Sequence, residues 1–176
     1  MKNLISLVLG VVSMLMVQAC HEKRSKNYNQ ATSVDQQGLN FIEDATEGGL
    51  AEVKASGMAI TKTSNQRVIA FAKMMITDHT QAGDELKKIE TDQRITGKDT
   101  ISADHQKMIG DLAIKSGRAF DKSYLQMMVN DHEKAVTLFA GATTNSEEEI
   151  QNFAKKILPT IQMHLDSAKA ILASLK

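Results

Sequence analysis

Glu52, His79, His132 and His164 are the residues of this chain whose types and spacing could do chemistry. His79 closes the stretch FAKMMITDH, and His132 closes YLQMMVNDH 53 residues later, with aromatic, Met-Met, Asp and His at matching offsets. Glu52 and His164 each follow a phenylalanine, Phe41 and Phe153, by 11 residues. One carboxylate and three imidazoles suit zinc, iron or manganese better than calcium. Such a site needs neutral imidazoles and an ionised carboxylate, and Asp78 or Asp131 could orient a ring by accepting its proton. The same residues admit a plainer reading. In it His79 and His132 are half-buried side chains capped by Asp or solvent, His164 lines a helix face beyond Pro159, and Glu52 faces water. Asp78 and Asp131 cannot both share the face of the adjacent histidine, so they could also cap or pair outside the core. Glu43, Asp44 and Glu47 read as solvent-side, and His105 as exposed.

These four residues converge only if four helices carry them to one depth. In both copies of the repeat, the aromatic residue, the Met pair and the Asp-His end recur at steps of three and four, one stripe of a helix. Asp35 is a suitable cap for a first helix from Gln36, which carries Leu39, Ile42, Ala45, Gly49, Val53 and Ala59 on or near one face. Gly48-Gly49 could mark a turn, but the periodicity resumes in phase at Leu50 and Val53. A continuous helix with a close crossing at the glycines is the favoured reading. Asn65 caps a second helix reaching about Asp92. Residues 93–117 are too long for a tight hairpin and contain a short helix opening at Ser102, with Met108, Ile109 and Leu112 as its apolar side. A third long helix covers Arg118–Ala140. Ser146, with Glu149 as its capping-box partner, starts a fourth that runs to near Leu175 through Pro159. The fold class is therefore all-α: two antiparallel hairpins joined by a crossover that holds a short helix between helices two and three. The Met pairs Met74-Met75 and Met127-Met128 read mainly as packing.

Composition narrows the function classes. The 176 residues carry 21 basic and 21 acidic side chains, so no charge excess invites nucleic acid. Ten methionines and no tryptophan mean a core of Met, Leu, Ile and Ala. Residues 1–19 read as a signal peptide: Lys2, an apolar run over Leu4–Val17, then Val17-Gln18-Ala19-Cys20. The run resembles a bacterial lipoprotein signal with its lipobox, Gln18 being a mild departure. That resemblance implies acylation of Cys20, the single cysteine, with each buried methylene of the acyl chains (palmitate among them) worth about 0.8 kcal/mol of anchoring. With His21 after the cysteine, it also implies an exported protein held at the cell envelope. In a host with two membranes that is the outer membrane, with periplasmic or surface exposure. Residues 20–34 form a polar tether, and 35–176 form the domain.

The segments FIEDATEGGLAEVKASGMA, FAKMMITDHTQAGDEL, FDKSYLQMMVNDHEKAVTLF and FAKKILPTIQMHLDSAK resemble the domain of unknown function 4142 family over about residues 35–175. The resemblance implies a ferritin-like four-helix bundle in an exported bacterial protein, and no settled activity. Ferritin-like di-iron proteins place Glu-x-x-His on two helices. Here Ile76 and Val129 occupy the positions three before His79 and His132, which argues against a two-metal oxidase.

Three functions remain in competition. The main expectation is a non-enzymatic, lipid-anchored envelope protein that binds a protein partner or a small ligand. The alternative is a bundle that binds one divalent transition metal through Glu52, His79, His132 and His164. A histidine-dependent enzyme is the weakest, since there is no Ser-His-Asp set, no CxxC pair and no phosphate-binding glycine loop.

Overall fold

A computed structural model describes residue 32 and residues 34–175. The signal peptide, Cys20 and most of the tether lie outside these residues. The described chain is all-helical: α1 (Gln36–Lys62), α2 (Gln66–Asp92), α3 (Ala103–Ala113), α4 (Gly117–Ala142) and α5 (Glu148–Ser174). The predicted helices three and four are α4 and α5, and α3 is the short helix of the crossover. No described helix is long and apolar enough to cross a membrane.

Local chemistry sets most of the helix starts. Asp35 accepts from the backbone N–H of Gly38 at 2.8 Å, Asn65 from that of Arg67 at 3.0 Å, and Ser102 from that of His105 at 3.2 Å. The start of α5 departs from expectation. Ser146 and Glu149 do not form a capping box. Glu147 takes the cap position, its N–H donates to Asn145 Oδ1 at 2.9 Å, and Glu149 accepts from Gln93 at 2.8 Å. The Ser146 hydroxyl instead donates to Asp35 Oδ2 at 2.8 Å, which ties the start of α5 to the start of α1. A tertiary partner has outbid the local cap. Val34, at the end of the segment read as tether, is buried against the lower core.

The helix α1 packs on α2 and α4 on α5, and the two hairpins join through α1 against α4 and α2 against α5. Around the bundle the order is therefore α1, α2, α5, α4, and α3 lies across α1 and α4. Gly48 and Gly49 sit inside one unbroken α1. A Cβ at Gly48 would meet nothing within 4 Å, and one at Gly49 would meet only the His79 ring at 3.8 Å. No close crossing occurs at Gly48, although a helix-interior glycine costs about 1 kcal/mol relative to alanine.

Two apolar clusters fill the bundle. An upper one includes Ala51 and Ala55 of α1, Phe71 and Met75 of α2, Phe120, Tyr124 and Met128 of α4, and Leu165 and Ala168 of α5. A lower one includes Phe41 and Ile42 of α1, Leu86 and Ile89 of α2, Phe139 of α4, and Phe153 and Ile161 of α5. On α2, α4 and α5 a histidine, His79, His132 or His164, falls between residues of the two clusters, and on α1 Glu52 follows Ala51 at the end of the upper cluster nearer the lower one. Eleven or more apolar positions on either side hold this polar layer at one depth.

Candidate metal centre

The four residues singled out from spacing do come together. Glu52 is 4% exposed, and its two oxygens divide between two rings: Oε2 lies 3.2 Å from His79 Nδ1 and Oε1 lies 3.0 Å from His132 Nδ1. The water-facing reading of Glu52 and the half-buried, solvent-capped reading of His132 are thereby removed, and His164, read as lining a helix face, is buried. His132 Nδ1 also lies 2.9 Å from the carbonyl oxygen of Met128, one turn back on α4. Both neighbours of that nitrogen are acceptors, so Nδ1 carries the proton and Nε2 holds the lone pair. Asp78 of α2 faces His164 of α5, with Oδ2 at 2.9 Å from Nε2, which leaves the lone pair of that ring on Nδ1.

The result is three rings, His132 and His164 buried and His79 half-buried, with one nitrogen each beside an oxygen. His79 Nε2, His132 Nε2 and His164 Nδ1 are buried without a hydrogen-bond partner. The ring centroids form a nearly equilateral triangle, with sides of 5.6, 5.3 and 5.4 Å. One ligand nitrogen from each ring lies within 4.8 Å of the others. Ligands of a tetrahedral ion with metal–nitrogen bonds of about 2.0–2.1 Å sit about 3.3 Å apart, so the rings have a short distance to close. A buried unpaired nitrogen is expensive, and three on one cluster of rings call for a shared electrophile. The cluster suits a transition-metal ion.

Charge supports the same arrangement. Burial works to raise the Glu52 pKa, but His79 and His132 outweigh it and bring it down to about 2, so the carboxylate is ionised. Burial lowers His79 and His164 and keeps both neutral. Burial also opposes charge on His132, yet Glu52 and the Met128 carbonyl prevail and its pKa is raised. Of the three rings, His132 is the one whose surroundings favour a second proton.

Neither Asp78 nor Asp131 orients the histidine beside it in sequence. Asp78 reaches across to His164, and Asp131 lies 3.4 Å from Nε2 of His105. That contact corrects the expectation of an exposed His105. Its side chain is only 14% exposed, and its Nδ1 sits 2.7 and 2.9 Å from the oxygens of Glu47. Glu47 is not simply solvent-facing either, since it also accepts from the Ser102 N–H at 2.7 Å. Both misreadings have one origin: the crossover folds back over α1 and α4, and no periodicity within it reports that. A second long-range pair, Ser56 and Tyr124, whose hydroxyls lie 2.8 Å apart inside the upper core, had no signal beyond a serine on the apolar face of α1.

The fold and site together define a four-helix bundle with a buried three-histidine cluster between two apolar cores. The chain belongs to the family described as Domain of unknown function (DUF4142), whose model matches residues 23–171. No curated protein matches the sequence. Among solved structures, a DUF305 fragment from Deinococcus radiodurans superposes with a TM-score of 0.72 at 13% identity, covering 80% of this chain and 97% of that one. CopM in its Cu(II)-bound form superposes with a TM-score of 0.69 at 18% identity, covering 79% and 97%. CopM in an Ag-bound form gives 0.63 at 18% identity, covering 76% and 93%. At these identities the likeness is one of fold.

Proposed function

We propose that this chain binds one transition-metal ion between His79, His132 and His164, and that its role is to hold the ion rather than to catalyse a reaction. Glu52 and Asp78 act from behind, fixing the ring tautomers and raising the basicity of the ligand nitrogens. The carrying observation is the pattern of committed and free nitrogens: each ring has one nitrogen on an oxygen acceptor and the other buried and unpaired. Of the readings that the sequence left open, metal binding has better support than an unspecified envelope partner or a histidine-dependent enzyme. Glu52 was expected among the ligands; its place against two protonated nitrogens favours an orienting role.

Zinc, iron and manganese were the expected ions. Copper is the better choice. A neutral imidazole set binds Cu(II) more tightly than the other divalent first-row ions, and CopM, which shares the fold, is known with Cu(II) and with Ag bound. The sequence of residues 1–20 supports an exported protein held at the cell envelope by lipid on Cys20.

The test is titration of the metal-free domain with Cu(I), Cu(II) and Zn(II), with bound metal counted by elemental analysis. One equivalent of copper in the wild type, lost in His79→Ala and in His132→Ala, supports the proposal. A folded wild-type domain that retains no metal overturns it.

A further inference from the structure

Beside the histidine cluster the lower half of the bundle holds a cavity of about 390 Å³. Its wall is apolar, built from side chains such as Leu138, Phe139, Phe153, Ile157 and Ile161. The cavity opens to solvent past exposed residues such as Leu50, Thr80 and Asp84. His79 and His164, each with one unpartnered buried nitrogen, are among the residues that line it, together with Glu52 and Asp78 behind them. Gly48 and Gly83 border the same space from α1 and α2, and a Cβ at either would touch nothing within 4 Å. Apart from Lys87, the charged groups bordering the space are carboxylates, Asp44, Asp84, Glu90 and Asp99 among them, which disfavours an anion.

We infer that this cavity is a binding site for a small, uncharged, apolar molecule carrying one lone-pair donor, which completes the coordination of the metal. This rests on the metal reading above. Three protein ligands leave a tetrahedral ion one position short. The volume lies within the range of small-molecule sites, and an apolar wall with a few convergent polar groups is their usual chemistry. The donor meets the ion beside His79 and His164, and the apolar body lies along the wall that Leu138, Phe139 and Ile161 form, bordered by Gly48 and Gly83.

The experiment uses Co(II) as a spectroscopic ion and 4-phenylimidazole as probe, with imidazole as the control lacking the apolar body. Co(II) binding is measured first, without probe. On the loaded protein, 4-phenylimidazole is expected to shift the visible absorption bands and to bind about tenfold or more tighter than imidazole. Gly48→Leu and Gly83→Leu fill the space from helix positions where leucine favours the fold, and they are expected to abolish that preference while leaving Co(II) binding unchanged. Equal affinity for the two probes on Co(II)-loaded protein overturns the cavity proposal and leaves the metal reading standing. Failure to bind Co(II) together with failure to bind copper in the titration above overturns the metal reading. Calorimetry with 4-phenylimidazole on the metal-free protein then decides the cavity separately: binding that both leucine variants abolish sustains an apolar site, and no binding removes it.

Discussion

Asp78 on α2 accepts from Nε2 of His164 on α5 at 2.9 Å, whereas Glu52 on α1 meets His79 and His132 through Nδ1. The ring of α5 is thus presented by the opposite nitrogen from the rings of α2 and α4. Two carboxylates from two helices, with the Met128 carbonyl, set the three tautomers, and the lone pairs left over are the three buried unpaired nitrogens. The division of labour separates residues that would touch an ion from residues that aim them.

That separation predicts a graded loss of affinity. Asp78→Asn keeps the shape but weakens the hold on one ring, and is expected to lower copper affinity about 10-fold to 100-fold. Glu52→Gln is expected to cost more, because an amide oxygen can serve only one of the two Nδ1–H groups and its NH₂ opposes the other. Competition titrations against a chelator of known affinity measure both. Unchanged affinity in Glu52→Gln would remove the orienting role.

Metal affinity should rise with pH. The pKa of His132 is raised, so in the metal-free protein this ring is protonated below its folded pKa, and copper must displace that proton. Below that value the affinity is expected to climb by about tenfold per pH unit, with one proton released per ion, and to level off above it. Calorimetry in two buffers of different ionisation enthalpy counts the proton. A flat profile between about pH 5 and about pH 8 would contradict the assignment.

The long helices and the depth of the site were legible because both follow from periodicity. Phe71, Met75, Tyr124 and Met128 repeat at helical spacing and are buried, and the duplicated Asp-His ends land at the same level. Equal depth brought Glu52 and His164 to the same layer. Partner choice was not legible. Asp78 lies beside His79 in sequence but serves His164, because adjacent helical residues point about 100° apart and a neighbouring helix can be nearer than a neighbouring residue. Ser146 is a good local cap whose hydroxyl goes to Asp35, and His105 is in a polar connection that folds onto α1 and α4. Each of these depends on how elements pack, which a one-dimensional pattern does not encode.

The crossover should loosen in alkali. His105 sits between Glu47 of α1 and Asp131 of α4; burial opposes its charge, but these carboxylates outweigh burial and its pKa is raised above 6.5. A raised histidine contributes fully below its unfolded pKa, and the contribution fades as pH rises through the folded value. The side chains are partly exposed, so about 1 kcal/mol or less is at stake. Hydrogen exchange of the α3 amides, corrected for the intrinsic rate, should show protection falling with pH in the wild type and not in His105→Gln. Equal pH dependence in both would discount the latch.

The hydroxyl pair of the upper core should respond asymmetrically to removal of either partner. Ser56 and Tyr124 are both fully buried, and their oxygens lie 2.8 Å apart. Ser56→Ala leaves the Tyr124 hydroxyl buried without a partner, which costs about 1–3 kcal/mol, the penalty for an unsatisfied buried group. Tyr124→Phe removes the hydroxyl that would have been stranded and leaves a serine able to turn to the carbonyl one helical turn back, so the expected cost is about 0.5–1.5 kcal/mol. Burial and Glu52 push the Tyr124 pKa well up, while the bond to Ser56 works the other way, so the phenol stays neutral and the comparison is free of titration. Urea unfolding of the metal-free domain gives both values, and the double variant closes the cycle. A Tyr124→Phe cost larger than that of Ser56→Ala would mean that the ring's packing against Phe71 and Phe120, at centroid distances of 6.2 and 6.0 Å, depends on the hydroxyl for its position.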